Sequence, residues 1–343
     1  MNKNSKRLAL ATAVAAVFAL TAVVLRTLAC TRYLESNLIY FSNYGLVNAA
    51  GSVLIVGIVA AVAIALTTEK EPLRASFSSP LTFIPTGLVA VSLLIFGIVM
   101  LALYVSITPP LPSKNADIAK GLALMTAILA PLSAVHFFLS ALLTERHARL
   151  RAYFALATVL LGALYASFLY FNQGTPINAP NKLVEQMAYL FASIFFLYET
   201  RISLGREMWR GYTVFGLIAA SLTAYASVPA VITYLAVGKR VTATVESAAL
   251  LAAFSVFILA RMIMTALASP DRECPEMAAL RKFAERREEE MLTGKIEDGE
   301  QISITELIDI PKARPVAEGD DEPDGDSAAD ADENKTETKE ADE

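Results

Sequence analysis

Residues 88–105 read LVAVSLLIFGIVMLALYV, a run of eighteen residues without a charge and apolar on every side of the helix it would form. An outer-membrane strand would alternate apolar and polar residues over about ten positions, and a helix on a soluble protein would keep a polar stripe. Neither pattern is present. A helix crossing about 30 Å of hydrocarbon needs about 20 mostly apolar residues, because each residue rises about 1.5 Å and no water is available to its backbone groups.

Working outward from this run, seven further segments meet that length. The eight expected spans are residues 8–29, 46–67, 83–107, 118–143, 151–171, 184–204, 211–237 and 244–268. Composition agrees: of 343 residues, 55% are apolar and only 18% charged, about seven points below the charged share of a typical soluble domain. The fold expected is all-α, a bundle of about eight transmembrane helices arranged as four hairpins. The first segment follows a basic start, MNKNSKR, as a signal peptide would, but its apolar core from Leu8 to Leu25 is too long and Arg26 interrupts the approach to a cleavage site. It reads as a membrane span.

Orientation follows from the basic residues of the short loops. The N-terminus and the connections after the second, fourth and sixth spans hold eleven lysines and arginines, against six on the opposite side. Both termini are therefore expected in the cytoplasm of a cell membrane, and short loops fit a bacterial inner membrane. The two cysteines, Cys30 and Cys274, then fall on opposite sides of the bilayer, too far apart for a disulfide, whose Cα atoms lie within about 7 Å.

The fourth and sixth spans leave as FFLSALLTERHARLRAYF (137–154) and FFLYETRISLGREMWRGY (195–212), each a Phe-Phe-Leu, then Glu beside Arg, then an arginine cluster. IALTTEKEPLRA (64–75) is a looser version. A feature found at three equivalent exits reads as boundary punctuation rather than a reactive site. The last span departs from it, since Arg261 in AFSVFILARMIMTALASP lies about seven residues, or about 10 Å of helix, inside the apolar run. A guanidinium at that depth wants a counter-charge; Glu199, expected on the same side of the membrane, is the first candidate for a structural ion pair.

After Pro270 the chain changes character. PEMAALRKFAERREEEML (275–292) reads as an amphipathic cytoplasmic helix. From Thr293 onward 18 acidic residues face 5 basic ones, a net charge of −13 within a chain of −5, so residues 1–292 carry +8. The expected organisation is thus a transmembrane domain over 1–270, a juxtamembrane helix over 271–292 and a disordered acidic tail over 293–343. One island in that tail, ISITELIDIP (302–311), alternates like a strand and could add to a partner's sheet edge.

Several chemistries find no support. There is no glycine loop with its lysine to cradle phosphate, no metal-ligand spacing around His136 or His147, and no aspartate within any span. Ser133 and His136 are three residues apart on one helix, but nothing orients the histidine as a base. No catalytic residue, cofactor, metal or nucleic-acid partner is expected, and no motif is specific enough to carry a family resemblance.

Two functional classes are left, the first the expected one and the second its alternative. One is a non-enzymatic membrane scaffold or sensor that engages a cytoplasmic protein partner through residues 275–311, with small residues in AGSVLIVGIVAAVAIA (50–65) favouring close helix contact, within the chain or between copies in a homo-oligomer. The other is a transporter of a small solute or ion, whose ligand residues are His136, Glu185, Glu246 and Arg26. The last three gather toward the outer ends of their spans, where they would line an open polar vestibule if their helices are neighbours. A transporter would respond to changes at these residues and not to loss of the tail; a scaffold would do the reverse.

Overall fold

The computed structural model describes residues 3–35, 40–68, 80–106, 114–142, 148–172, 179–203 and 208–267. By contacts the chain divides after Asp298, and all described residues belong to the first unit, Met1–Asp298. The expected juxtamembrane helix, acidic tail and strand-like island lie outside the described residues, as does Cys274, and so does much of the arginine-rich exits.

The described part is α-helical apart from one short ribbon. The helices are α1 (Lys3–Tyr33), α2 (Gly45–Leu66), α3 (Pro80–Ser106), α4 (Lys114–Leu142), α5 (Ala148–Phe171), α6 (Pro180–Ser203), α7 (Trp209–Val237) and α8 (Val245–Leu267). Between α1 and α2, β1 (Leu34–Glu35) pairs antiparallel with β2 (Tyr40–Phe41). Several helices overrun the apolar segments that mark them, α1 by five residues at its start, because a helix satisfies its own backbone in water as it does in lipid. Proline opens α3 and α6, where its missing N–H costs nothing. Gly238, at φ +69°, closes α7 in the left-handed region with its N–H on the Tyr234 carbonyl.

Seven of the eight helices are long and apolar enough to cross a membrane. The exception, α6, has the length at 24 residues but carries Lys182 and Glu185 near its start and Glu199 and Arg201 near its end. The outer surface suits lipid: Ile55, Val59, Ile84, Ile98, Leu160 and Leu235 are all more than half exposed, and side chains so exposed in water would be an association hazard. Polar side chains inside the bundle mostly satisfy themselves. Thr12, Thr126, Ser133, Ser193, Ser221 and Ser227 each donate to the carbonyl one turn back.

Each of α1, α3, α4, α5, α6 and α7 packs on its successor except that α2 and α3 are not paired; α1 also packs on α7, and α8 on α3 and α1. Helices α7 and α8 are the most enclosed, with about two-thirds of their apolar windows buried (61% and 67%). Their partners form an aromatic core in which Phe137 meets Phe196 and Phe257 edge to face at 5.6 and 5.3 Å.

The α1–α2 seam is built differently, from small residues. Ala50, Leu54, Gly57, Ala61 and Ala65 make one stripe of α2, and it meets Ala11, Ala15, Ala19 and Ala22 of α1. At Gly57 the backbones are so close that a Cβ would run into the Cβ of Phe18. Gly57→Ala is therefore expected to destabilise the bundle by about 1–3 kcal/mol despite alanine's better helix propensity. Thermal unfolding in detergent measures this; an unchanged or raised midpoint would mean that α1 and α2 are not held at this distance.

Candidate functional site

The alanine stripe of α1 fixes the position of the first site residue. Continuing in steps of three and four from Ala15, Ala19 and Ala22, the same face reaches Arg26 and then Ala29 and Cys30. Arg26 therefore points into the bundle and is only 2% exposed. Its Nη2 donates to Asn181 Oδ1 at 2.8 Å, in the first turn of α6, and its guanidinium lies 4.2 Å from the centre of the Tyr225 ring of α7. A cation stacked on an aromatic face is attracted by the ring quadrupole, more strongly when both are desolvated.

One turn further along α6, Glu185 is also enclosed, at 1% exposure. Its carboxylate accepts from Ser247 Oγ of α8 at 2.6 Å, from the Ala243 N–H between α7 and α8 at 3.1 Å and, at the longer distance of 3.4 Å, from the Tyr165 hydroxyl of α5. Tyr189 adds a bond to the Ser247 carbonyl at 3.0 Å. Glu185 thus ties α6 to α5, to α8 and to the turn that leads into α8. Arg26 and Lys182 lie beside it on the same end of the bundle; the first attracts its charge, and Lys182 Nζ reaches the Asn172 carbonyl at 3.0 Å.

This end is roofed. Leu34 of β1, Phe41 of β2, Val241, Ala248 and Ala230 pack with Ala29 and Cys30 in one apolar cluster, and Lys239 Nζ fastens the ribbon through the Leu34 carbonyl at 2.8 Å. Where the sequence suggests an open vestibule, Arg26 and Glu185 are enclosed within the bundle. The physical reason is the α1 stripe, which turns Arg26 inward.

At the opposite end a second ionic group is buried. Arg261 of α8 donates from Nε to Glu199 Oε1 at 2.8 Å and from Nη2 to Oε2 at 3.2 Å, and the Tyr212 hydroxyl donates to Oε1 at 2.8 Å. Both charged side chains are 1% exposed. The two ends share one geometry: Glu185 meets Ser247 and Glu199 meets Arg261 across the same separation of 62 positions. Helices α6 and α8 are therefore parallel and in register, and the fourteen positions that separate the two contacts on each helix are about four turns, so both contacts fall on one face.

Of the four ligand residues expected from the sequence, the structure brings Arg26 and Glu185 to one end. Glu246 is half-buried in the first turn of α8, where its neighbour Ser247, not Glu246, meets Glu185. His136 is elsewhere. It lies in the last two turns of α4, a helix that packs on α3 and α5, with its ring edge to face on Phe137 at 4.9 Å. Ser133 gives its hydroxyl to the Leu129 carbonyl.

Sequence reading did not single out Asn181, Tyr225, Thr233 or Ser247. Asn181 follows a proline and reads as turn chemistry, and the other three are ordinary polar residues of a span. A helical-face count along α1 is the signal that would have turned attention to the partners of Arg26.

Helices this long and apolar, with charges enclosed rather than exposed, define an all-helical integral membrane protein. No protein-family model, curated protein or solved structure matches the chain.

Proposed function

We propose that this chain is a transporter of a small solute or ion, with all eight helices crossing a cell membrane, both termini in the cytoplasm and the ligand held at the end of the bundle formed by α1, α6, α7 and α8. The observation that carries this reading is the enclosure of Arg26 beside Glu185. Placing a charge in a low-dielectric interior costs several kcal/mol unless it is fully paired, and Arg26 has a single hydrogen bond to a neutral amide. An incompletely paired buried charge is what a ligand site contributes.

A second reading, a membrane scaffold engaging a partner through residues 275–311, is favoured by the net charge of −13 beyond Thr293. One experiment separates the two. The full chain, reconstituted in nanodiscs, is screened by thermal unfolding against small anionic, neutral and cationic solutes, and those that raise the midpoint are tested for uptake into proteoliposomes. At least one solute is expected to do both, equally in a chain stopped after Leu292, and to lose its effect in Arg26→Gln. If no solute acts, and a crosslinked partner is captured from native membranes by the full chain but not by the shortened one, the scaffold reading replaces it.

A further inference from the structure

The polar groups around Arg26 are unequally satisfied, and the imbalance has a sign. Arg26 Nε and Nη1, Asn181 Nδ2 and Thr233 Oγ1 are all buried with no hydrogen-bond partner among the described residues. Because a guanidinium only donates, Asn181 must present its oxygen to Arg26, which turns its NH2 away unpaired beside the guanidinium. Thr233 is one of two buried threonines, with Thr158, whose hydroxyl has no hydrogen-bond partner among the described residues, whereas Thr12, Thr126, Thr213 and Thr223 donate to the carbonyl one turn back. Cys30, one turn beyond Arg26, lies against both Arg26 and Thr233, which brings these groups together beside the cluster of Leu34 and Phe41.

The missing partner must be an acceptor. Arg26 Nε and Nη1 and Asn181 Nδ2 can only donate, and a hydroxyl can follow them. One water accepts at most two bonds and brings two hydrogens of its own, so it cannot serve four such groups. Charge points the same way. Arg26 is positive, and the oxygens of its neighbour Glu185 are already taken by Ser247, Ala243 and Tyr165. An acceptor that carries negative charge and has no hydrogens to donate suits this set of donors.

We propose that Arg26, Asn181 and Thr233 bind a small monovalent anion, a halide or the carboxylate of a small organic acid, inside the helical bundle. This rests on the transporter reading and names the charge of its ligand. A buried guanidinium stacked on Tyr225 and flanked by an amide N–H and a hydroxyl suits either source, since both accept from several donors at once.

The test uses the full chain in nanodiscs, unfolded thermally in sodium sulfate while chloride, bromide, formate or acetate is titrated in at constant ionic strength. Chloride and bromide against formate and acetate decide between halide and carboxylate. A saturable rise in midpoint is expected for at least one pair, with choline replacing sodium without effect. Thr233→Val, which keeps shape and loses the hydroxyl, is expected to raise the half-saturating concentration about tenfold, the cost of one hydrogen bond to a charged group. Asn181→Asp supplies the missing negative charge from within. That variant is expected to be more stable than wild type in sulfate and indifferent to added anion, a result that a merely structural asparagine would not produce. The proposal is overturned if no anion gives a saturable rise, or if Thr233→Val and Asn181→Asp respond as wild type does. If instead a neutral or cationic solute stabilises the wild-type chain and not Arg26→Gln, the transporter reading stands and the anion falls; if no solute of any charge acts, both fall.

Discussion

Replacing Arg261 by glutamine is expected to cost about 3–5 kcal/mol of stability, the largest loss from any single change considered in this bundle. The number follows from what is left behind. Glu199 would keep its bond from Tyr212 but lose the two Arg261 donors and that positive charge at 1% exposure, and taking the partner from a charge held away from water is among the costliest changes in a folded protein. Glu199→Gln leaves the mirror-image defect on Arg261. The double variant, with two neutral amides that can bond each other, is expected to recover a large part of the summed loss. Tyr212→Phe, which removes one hydrogen bond to a charged group, is expected to cost roughly 2 kcal/mol. Unfolding the purified chain in a series of detergent mixtures measures all four. Strict additivity of the two single losses would show that the pair contributes no coupling and that α6 and α8 are held by packing alone.

Removing the carboxylate at the other end of α6 is expected to cost about 2–4 kcal/mol in Glu185→Leu. The estimate counts the donors deprived of an acceptor. Ser247 loses least, because its hydroxyl can turn to the Thr244 carbonyl, 2.8 Å away. The Tyr165 hydroxyl keeps the Ser247 and Thr244 side chains beside it, and the Ala243 N–H has no such second acceptor among its bonds. Glu185→Gln keeps one oxygen and is expected to lose about half as much. The local signature is as telling as the global one: amide hydrogen exchange at Ala243 is expected to accelerate in Glu185→Leu while Ser247, whose N–H is held by Thr244 Oγ1 at 3.0 Å, stays protected. Equal protection of Ala243 in variant and wild type would mean that Glu185 does not clamp the entry to α8.

These two expectations differ from the anion experiment in what they test. Glu185 and Glu199 have their acceptor sites occupied, and both read as parts of the scaffold that hold α6 beside α8. Arg26 has guanidinium nitrogens left without a hydrogen-bond partner among the described residues, which is why the proposed ligand site is placed there. Satisfaction, more than burial or charge, makes the distinction.

The membrane class was legible from length alone, because an apolar run such as 88–105 has no stable place in water whatever its neighbours are. The number of spans was less so. Helix α6 gives up apolar character for its two buried carboxylates, and only their partners on α5, α7 and α8 make sense of those charges. The depth of Arg261 in its span asks for a counter-charge by chemistry that needs no structure, yet which carboxylate answers depends on the 62-residue offset that sets α8 parallel to α6.

What the sequence determined by itself was local: which stretches are helical, where prolines and Gly238 interrupt or end them, and that charges inside them need partners. Those properties depend on neighbours within a few turns and on the bilayer as solvent. The tertiary structure alone decided the company each charge keeps. Arg26 meets Asn181 across 155 positions, and His136, which looks equally promising in the sequence, ends in a different part of the bundle. Such contacts depend on helix register and on the small-residue seam that draws α1 against α2, and neither is encoded within one helix.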